Sequence, residues 1–247
     1  MADVVLMYHN IAEHGQCILF NEWSSAYDIG YATFQQHLKL TEKHRNNVVL
    51  TFDDGYQSVH KFVLPLLEMS PSVCCKCFIT TGAIGQDGML TKKEIRELAK
   101  NNFHIGAHTQ THLFLEKLSK HQFEQEILQP KLILEEITGT EITEMSLPGG
   151  RYDSRSLEFT AKCGYKKIYT SRPGTKAQYL TKLPDIQLIP RWVITSGTTV
   201  ADLERMMNLD SWYVSLRKLQ FGAGKFAKRL LGNRGYHTFW RAVHTNN

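Results

Sequence analysis

The sequence predicts a parallel α/β domain with its active groups at the carboxyl ends of the strands. Short apolar runs of strand length alternate along the chain with segments of helical periodicity. Two of those runs end in chemistry-bearing residues: Val48-Val49-Leu50 leads into Thr51-Phe52-Asp53-Asp54-Gly55, and Phe103 to Ala107 leads into His108-Thr109-Gln110-Thr111-His112. The size fits as well, because 247 residues, 42% of them hydrophobic and 21% charged, suit one large soluble domain with a sizeable core.

Taken in order, Val4 to His9 reads as a first strand with a polar end. Residues 12–31 show little periodicity and are expected to form a loop covering the site. Thr33 is a good N-cap for a helix to His44, which spaces Phe34, Leu38 and Leu40 as a helix would. Val48 to Leu50 is a buried strand. Ser58 to Met69 carries a helical apolar stripe, with Pro65 placed to kink or shorten it. Cys74 to Thr80 is a strand, Thr91 caps a helix through Lys100, and His104 to His108 is a strand. Ser119 caps a long helix to Thr138, with Gly139 as its stop. Met145 to Leu147 is a short strand, and Ser154 to Lys162 is a helix ended by Gly164. Lys167 to Ser171 and Leu188 to Ile194 are the remaining strands.

The pair Asp53-Asp54 ends a strand, where adjacent side chains point to opposite sides. One carboxylate can bind a metal while the other stays free as a base, and Gly55 lets the chain turn away at once. Alone, the pair is also what a polar Asp-Gly turn looks like. His108 and His112, four residues apart, would face the same way on a helical turn and grip one ion. Two imidazoles and a carboxylate with open positions suit zinc or another divalent first-row metal in hydrolysis.

Thr51-Phe52-Asp53-Asp54-Gly55 together with His108-Thr109-x-x-His112 resembles the polysaccharide deacetylase family, also called carbohydrate esterase family four. The resemblance covers roughly residues 4–195. It implies a distorted (β/α)7 barrel, and so residues 1–200 as a deacetylase-like domain and 201–247 as a basic helical C-terminal extension on or beside it. It implies an N-acetylated carbohydrate as substrate. The run Met7-Tyr8-His9-Asn10-Ile11 is similar to the opening of members that act on surface glycans, which implies that His9 stands at the mouth with Asp53. The expected mechanism has a divalent ion, zinc by the character of its ligands, on Asp54, His108 and His112, with Asp53 as general base.

Two family motifs are altered. Most members carry Arg-x-Pro-Tyr, whereas this chain reads Ser146-Leu147-Pro148-Gly149-Gly150-Arg151-Tyr152. Arg151 is expected to pair with and orient Asp53, and the backbone from Gly149 to Tyr152 to line an oxyanion site; the bland alternative is an exposed turn. The usual Leu-x-x-His, source of the general acid, is not found. Its strand would be Leu188 to Ile194, whose polar member Arg191 is assigned to the substrate or oxyanion side, or else to a core or rim position. His9 or the metal-bound water network is left as proton donor, with His237 and His244 far down the tail. Two other readings stay open: hydrolysis of another amide or of an O-acetyl ester, and a non-catalytic glycan-assembly or binding protein that keeps the metal site.

Cys74, Cys75 and Cys77 lie in one apolar run without a second Cys-x-x-Cys pair, so buried free thiols in a reducing compartment are expected. With no leader-like start and no run near the ~18 apolar residues of a membrane span, a cytoplasmic location follows, with the inner membrane face as a peripheral station. From Ser211 to the end there is no acid but seven Lys and Arg, more than the whole chain's net charge of +5, interleaved with Trp, Tyr and Phe. Such a tail packs on the barrel with its charged heads in water, or meets an anionic membrane surface or a protein partner. Nucleic acid ranks last, since no base-reading module is visible.

Overall fold

The computed structural model describes residues 4–13, 24–44, 48–70, 72–101, 103–116 and 118–223. Its strands are β1 (Val4–Tyr8), β2 (Asn10–Ala12), β3 (Asp28–Gly30), β4 (Val48–Phe52), β5 (Cys74–Ile79) and β6 (Phe103–Ala107). They continue with β7 (Glu144–Ser146), β8 (Lys167–Tyr169), β9 (Gln178–Leu180), β10 (Leu183–Ile189) and β11 (Trp192–Val193). Apart from the small β2–β3 pair, they form one sheet in the order β11-β1-β4-β5-β6-β7-β8-β10-β9, antiparallel only at β9. Only Pro190 and Arg191 separate β10 from β11. That one run of chain pairs with β8 through Gln187–Ile189 and with β1 through Trp192 and Val193, so the parallel sheet closes on itself. Counting β10 and β11 as one interrupted strand, the barrel has seven staves, as the family resemblance implied.

Alternate positions on the staves divide two cores. Val4, Leu6, Leu50, Phe52, Cys75, Cys77 and Ile168 belong to the main core between strands and helices. The intervening Val5, Val49, Phe78, Tyr169 and Ile189 pack together as the barrel's own filling. Burial on both faces is what a parallel sheet demands. Lower in the lumen, Glu144 takes Lys76 Nζ at 2.7 Å, Lys167 Nζ at 3.3 Å and the Tyr169 hydroxyl at 2.9 Å.

The helices are α1 (Tyr31–Lys43), α2 (Leu64–Glu68), α3 (Lys92–Lys100), α4 (Lys120–Phe123), α5 (Gln129–Thr138), α6 (Ser154–Lys162) and α7 (Val200–Met207). Thr91 and Ser119 make the capping boxes their sequences suggest, with Glu94 and Gln122. Gly139 stops α5 in the left-handed region at φ 70°. The expected cap at Thr33 is not used: β3 feeds straight into α1 through Gly30, which is the N-cap, so Thr33 lies inside the first turn. The expected loop over residues 12–31 is likewise broken by a 3-10 turn, Ser24–Tyr27, and by β3, whose three residues are too few to leave a period.

Wide helical turns, Val59–Val63 and Glu124–Leu128, lead into α2 and α5. The closing N–H groups are Leu64 to Val59 O and Gln129 to Glu124 O, and each is followed at once by a proline. A proline has no N–H to give, so the ladder must skip a donor there.

Leu203, Met206 and Met207 of α7 join the main core, and Tyr213 stacks on Trp192 at 6.5 Å between ring centroids. The first part of the extension is therefore continuous with the barrel. Lys225 and the later tail residues, with His237 and His244, lie outside the described residues, as do residues 14–23. Among the described residues, no helix is long and apolar enough to cross a membrane.

Candidate metal centre

β4 ends at Phe52, and the Asp53 N–H donates to Tyr8 O at 3.0 Å, which fixes the start of the loop against β1. Asp54 then takes φ 73° and Gly55 φ 88°. Two left-handed residues in succession turn the chain sharply, and the non-glycine one is strained. The turn is held because Thr80 N–H donates to Asp54 O and Leu90 N–H to Gly55 O.

The segment from His108 to His112 was expected to be a helical turn, and it is not one. Thr109 has φ 65° and His112 φ 60°, and the segment is irregular throughout. The two reversals still bring the imidazoles together, with ring centroids 5.0 Å apart. His108 Nε2 and His112 Nε2 each stand 3.3 Å from Asp54 Oδ1. The ligand atoms of Asp54, His108 and His112 all lie within 4.8 Å of one another, so the three predicted ligands do converge.

The donor chemistry fits a cation. His108 Nδ1 lies 2.9 Å from Ser146 O, a carbonyl that can only accept, so Nδ1 carries the proton and Nε2 is free to ligate. Asp54 Oδ1 is buried and accepts no hydrogen bond, despite two imidazole nitrogens at 3.3 Å. A carboxylate oxygen facing two ring nitrogens without a hydrogen bond is the arrangement a divalent ion would complete.

Asp53 is handled differently. Its carboxylate is gripped by Arg191, with Nη1 to Oδ1 at 2.7 Å and Nη2 to Oδ2 at 2.8 Å, and Ser146 Oγ donates to Oδ2 at 2.9 Å. Burial works against this charge, but the Arg191 guanidinium and then His108 outweigh it and hold the carboxyl well below the usual range. Asp53 Oδ2 is 3.9 Å from His108 Nε2, and Asp53 is outside the ligand cluster.

Arg191 itself is fully buried. Its remaining bonds are Nε to Thr170 O at 3.0 Å, Nη1 to Thr51 Oγ1 at 3.1 Å and Nη2 to Ser146 Oγ at 2.7 Å. These two groups of contacts use all five guanidinium N–H donors. The expectation that Arg191 serves a substrate or an oxyanion is thus corrected: it has no donor left and is the cation that orients Asp53.

The same geometry corrects Arg151. It pairs with Glu116 at 3.2 Å and lies over the Phe114 ring at 4.3 Å, while Asp53 is already taken by Arg191. The expected backbone donors are corrected in part. The Gly150 N–H closes onto Leu147 O at 2.8 Å and the Arg151 N–H onto Pro148 O at 3.3 Å, so both are turn bonds. The glycines answer to packing instead. A Cβ on Gly149 would come 2.9 Å from Phe114 Cε1, and one on Gly150 would come 2.5 Å from the Ser171 nitrogen. Tyr152 is half-buried against the main core.

His9 follows β1 and lies against Tyr27, the rings tilted by 33° with centroids 4.4 Å apart; its Nδ1 is buried without a hydrogen bond. Burial first of all pushes its basicity down, against the pull of Asp54 and Asp53 nearby. Ser146 opens the altered motif in the sequence without a role of its own, although its hydroxyl serves Asp53 and Arg191 and its carbonyl serves His108. The only local signal was a small polar residue closing a short strand.

Residues 41–168 match the family described as polysaccharide deacetylase, a span that holds Asp53, Asp54, His108, His112 and Ser146. A curated Bacillus subtilis protein, YxkH, whose name assigns it provisionally to the polysaccharide deacetylases, is 28% identical over 185 residues; the match takes in 70% of this chain and 66% of that protein. The chain thus spans just under two thirds of that relative's length. A polysaccharide deacetylase of Bacillus cereus superposes with a TM-score of 0.69 at 25% identity, over 83% of this chain and 68% of its own. The Streptococcus pyogenes deacetylase PplD, solved in complex with acetate, shares the fold with a TM-score of 0.68 at 22% identity, over 84% of this chain and 98% of its own.

Proposed function

Since the chain belongs to the polysaccharide deacetylase family, we propose that it is a metal-dependent hydrolase that removes the N-acetyl group from an amino sugar in a polysaccharide or glycan precursor. The observation that carries this reading is the meeting of Asp54, His108 and His112 beside an uncoordinated, arginine-held Asp53. Asp54 and the two Nε2 atoms would hold the ion, with zinc favoured by two imidazoles and one carboxylate. When bound, such an ion polarises the acetyl carbonyl and acidifies water.

The chain's own residues do the rest. Asp53 is ionised throughout the working range and accepts three hydrogen bonds, which leaves room on Oδ1 for a water proton. Its low basicity makes it a weak acceptor, so it depends on an already acidified water. Arg191 and Ser146 fix the carboxylate's direction and cannot turn toward substrate. His9 is assigned to protonate the leaving nitrogen, because it lies within electrostatic reach of Asp54 and Asp53 and its Nδ1 makes no hydrogen bond. Burial disfavours its charged ring, so the proton it gives must be one received during turnover. On the extension, Trp212 and Leu219 are 68% and 70% exposed beside Arg217 and Lys218, which supports contact of residues 211–223 with an anionic surface.

The test is acetate release from an N-acetylhexosamine oligomer, with the free amine counted on the product. Acetate and amine should appear together with zinc present, vanish after chelation and return on adding zinc back. A zinc-loaded protein that releases no acetate from any N-acetyl sugar would favour the non-catalytic alternative.

A further inference from the structure

Glu126 lies on the wide turn Glu124–Leu128, inside the apolar stripe of Phe123, Ile127 and Leu134, and is 4% exposed. An acid in such a stripe requires partners of its own. Among the described residues, every hydrogen bond of its carboxylate goes to one loop. Oε2 accepts from the Gln110 N–H at 3.1 Å and the Thr111 N–H at 2.9 Å, and Oε1 accepts from Thr111 Oγ1 at 2.6 Å. No ion pair among the described residues includes it.

Gln110 and Thr111 are the stretch between His108 and His112. On its opposite side the loop is held by its carbonyls: Thr81 N–H donates to Thr109 O at 3.2 Å and Gly82 N–H to Gln110 O at 2.8 Å. The Thr81 hydroxyl adds a bond to Gln110 Oε1 at 2.7 Å. Amides are drawn one way and carbonyls the other. Between them lie the left-handed Thr109 and His112, a conformation that persists only where its surroundings impose it.

We propose that Glu126 is a positioning residue for the metal centre, clamping the Gln110–Thr111 amides so that the His108 and His112 imidazoles stay at ligating distance. This rests on the reading of Asp54, His108 and His112 as ligands. It follows that the affinity for the ion depends on a side chain from the helix behind the loop, one that touches neither the ion nor the substrate.

The test is a zinc titration of the metal-stripped full chain against a chromophoric chelator, at a temperature where near-ultraviolet circular dichroism shows each variant folded. Glu126→Ala and Glu126→Asp, which cannot reach both amides, should bind zinc about 10–100-fold more weakly, the range for groups that orient ligands. Glu126→Gln, whose amide oxygen still accepts the backbone N–H groups, should stay within severalfold of the unaltered chain. Tyr165→Phe is the stability control: it removes the hydroxyl that bonds Ile127 O at 3.0 Å on the same helical segment, and should leave zinc affinity unchanged. Should Glu126→Ala fail to fold, Glu126→Asp carries the test alone. Zinc bound as tightly by Glu126→Asp as by the unaltered chain would overturn the proposal, and so would an equal loss in Tyr165→Phe. If the unaltered chain binds zinc no better than His108→Ala, the ligand reading itself fails and the role of Glu126 falls with it.

Discussion

Asp53 and Asp54 are neighbours in the chain, yet one is neutralised by a permanently charged guanidinium and the other faces only imidazoles. The Arg191 guanidinium occupies Asp53 from within the barrel, so an incoming cation finds its carboxylate only at Asp54. Removing the charge of Asp53 without changing its shape should therefore spare the metal. Asp53→Asn is expected to keep zinc and to lose about 10²–10⁴-fold in turnover, read as acetate release against bound zinc. Turnover near that of the unaltered chain would remove Asp53 as the base. Arg191→Met is expected to fail in another way. It strands a buried carboxylate, for about 3–5 kcal/mol of lost stability. In a chain of this size that lowers the melting temperature by roughly 6–20 °C, measurable by calorimetry of the metal-free protein.

At the scale of elements, the site is a contract between loops that follow different staves of the barrel, and the glycines show where those loops touch. Gly139 and Gly150 both have left-handed backbones, at φ 70° and 64°, but their surroundings differ. A Cβ on Gly139 meets nothing within 4 Å. Gly139→Ala should thus cost only the conformational strain, about 1–2 kcal/mol, with activity unchanged. A Cβ on Gly150 would press on the Ser171 backbone nitrogen at 2.5 Å, an atom that cannot swing aside. Gly150→Ala should destabilise by more than Gly139→Ala and should also lower activity, since it pushes the loop after β7 away from the loop after β8. Denaturant melts of both variants, alongside acetate release, test the contrast; equal losses in both would show that the close approach has no consequence.

For the whole molecule, what was legible in the sequence was whatever is local. Thr91 and Ser119 announce their helices because a capping box spans three residues, and Asp53-Asp54-Gly55 and His108 to His112 announce a metal because their ligands are close in the chain. What stayed hidden spans long separations or lacks a period. Arg191 reaches Asp53 across 138 residues, and nothing near either residue marks the pair, whereas Arg151 lies inside a recognisable motif and draws the expectation in its place. The left-handed Thr109 and His112 erase the helical period that the spacing suggested. The closing of the barrel rests on two residues of β11. His37 belongs to the hidden class too. It reads as one more helical residue of α1, yet it is fully buried, with Nδ1 3.2 Å from the Tyr8 hydroxyl of β1. Burial lowers its pKa from 6.5 to about 4, so the fold favours the neutral ring. Protons then bind the unfolded chain first as the pH falls. The contribution of His37 is complete above its unfolded value of 6.5 and is lost as the pH drops toward 4. Between pH 7 and pH 5 that loss should reach about 2 kcal/mol. His37→Gln, which cannot titrate, should flatten the acid limb of the stability curve by that amount in urea unfolding from pH 7 down to pH 5. An acid limb of the same steepness in the variant would mean that the ring is charged in the fold and that its burial between α1 and β1 has another explanation.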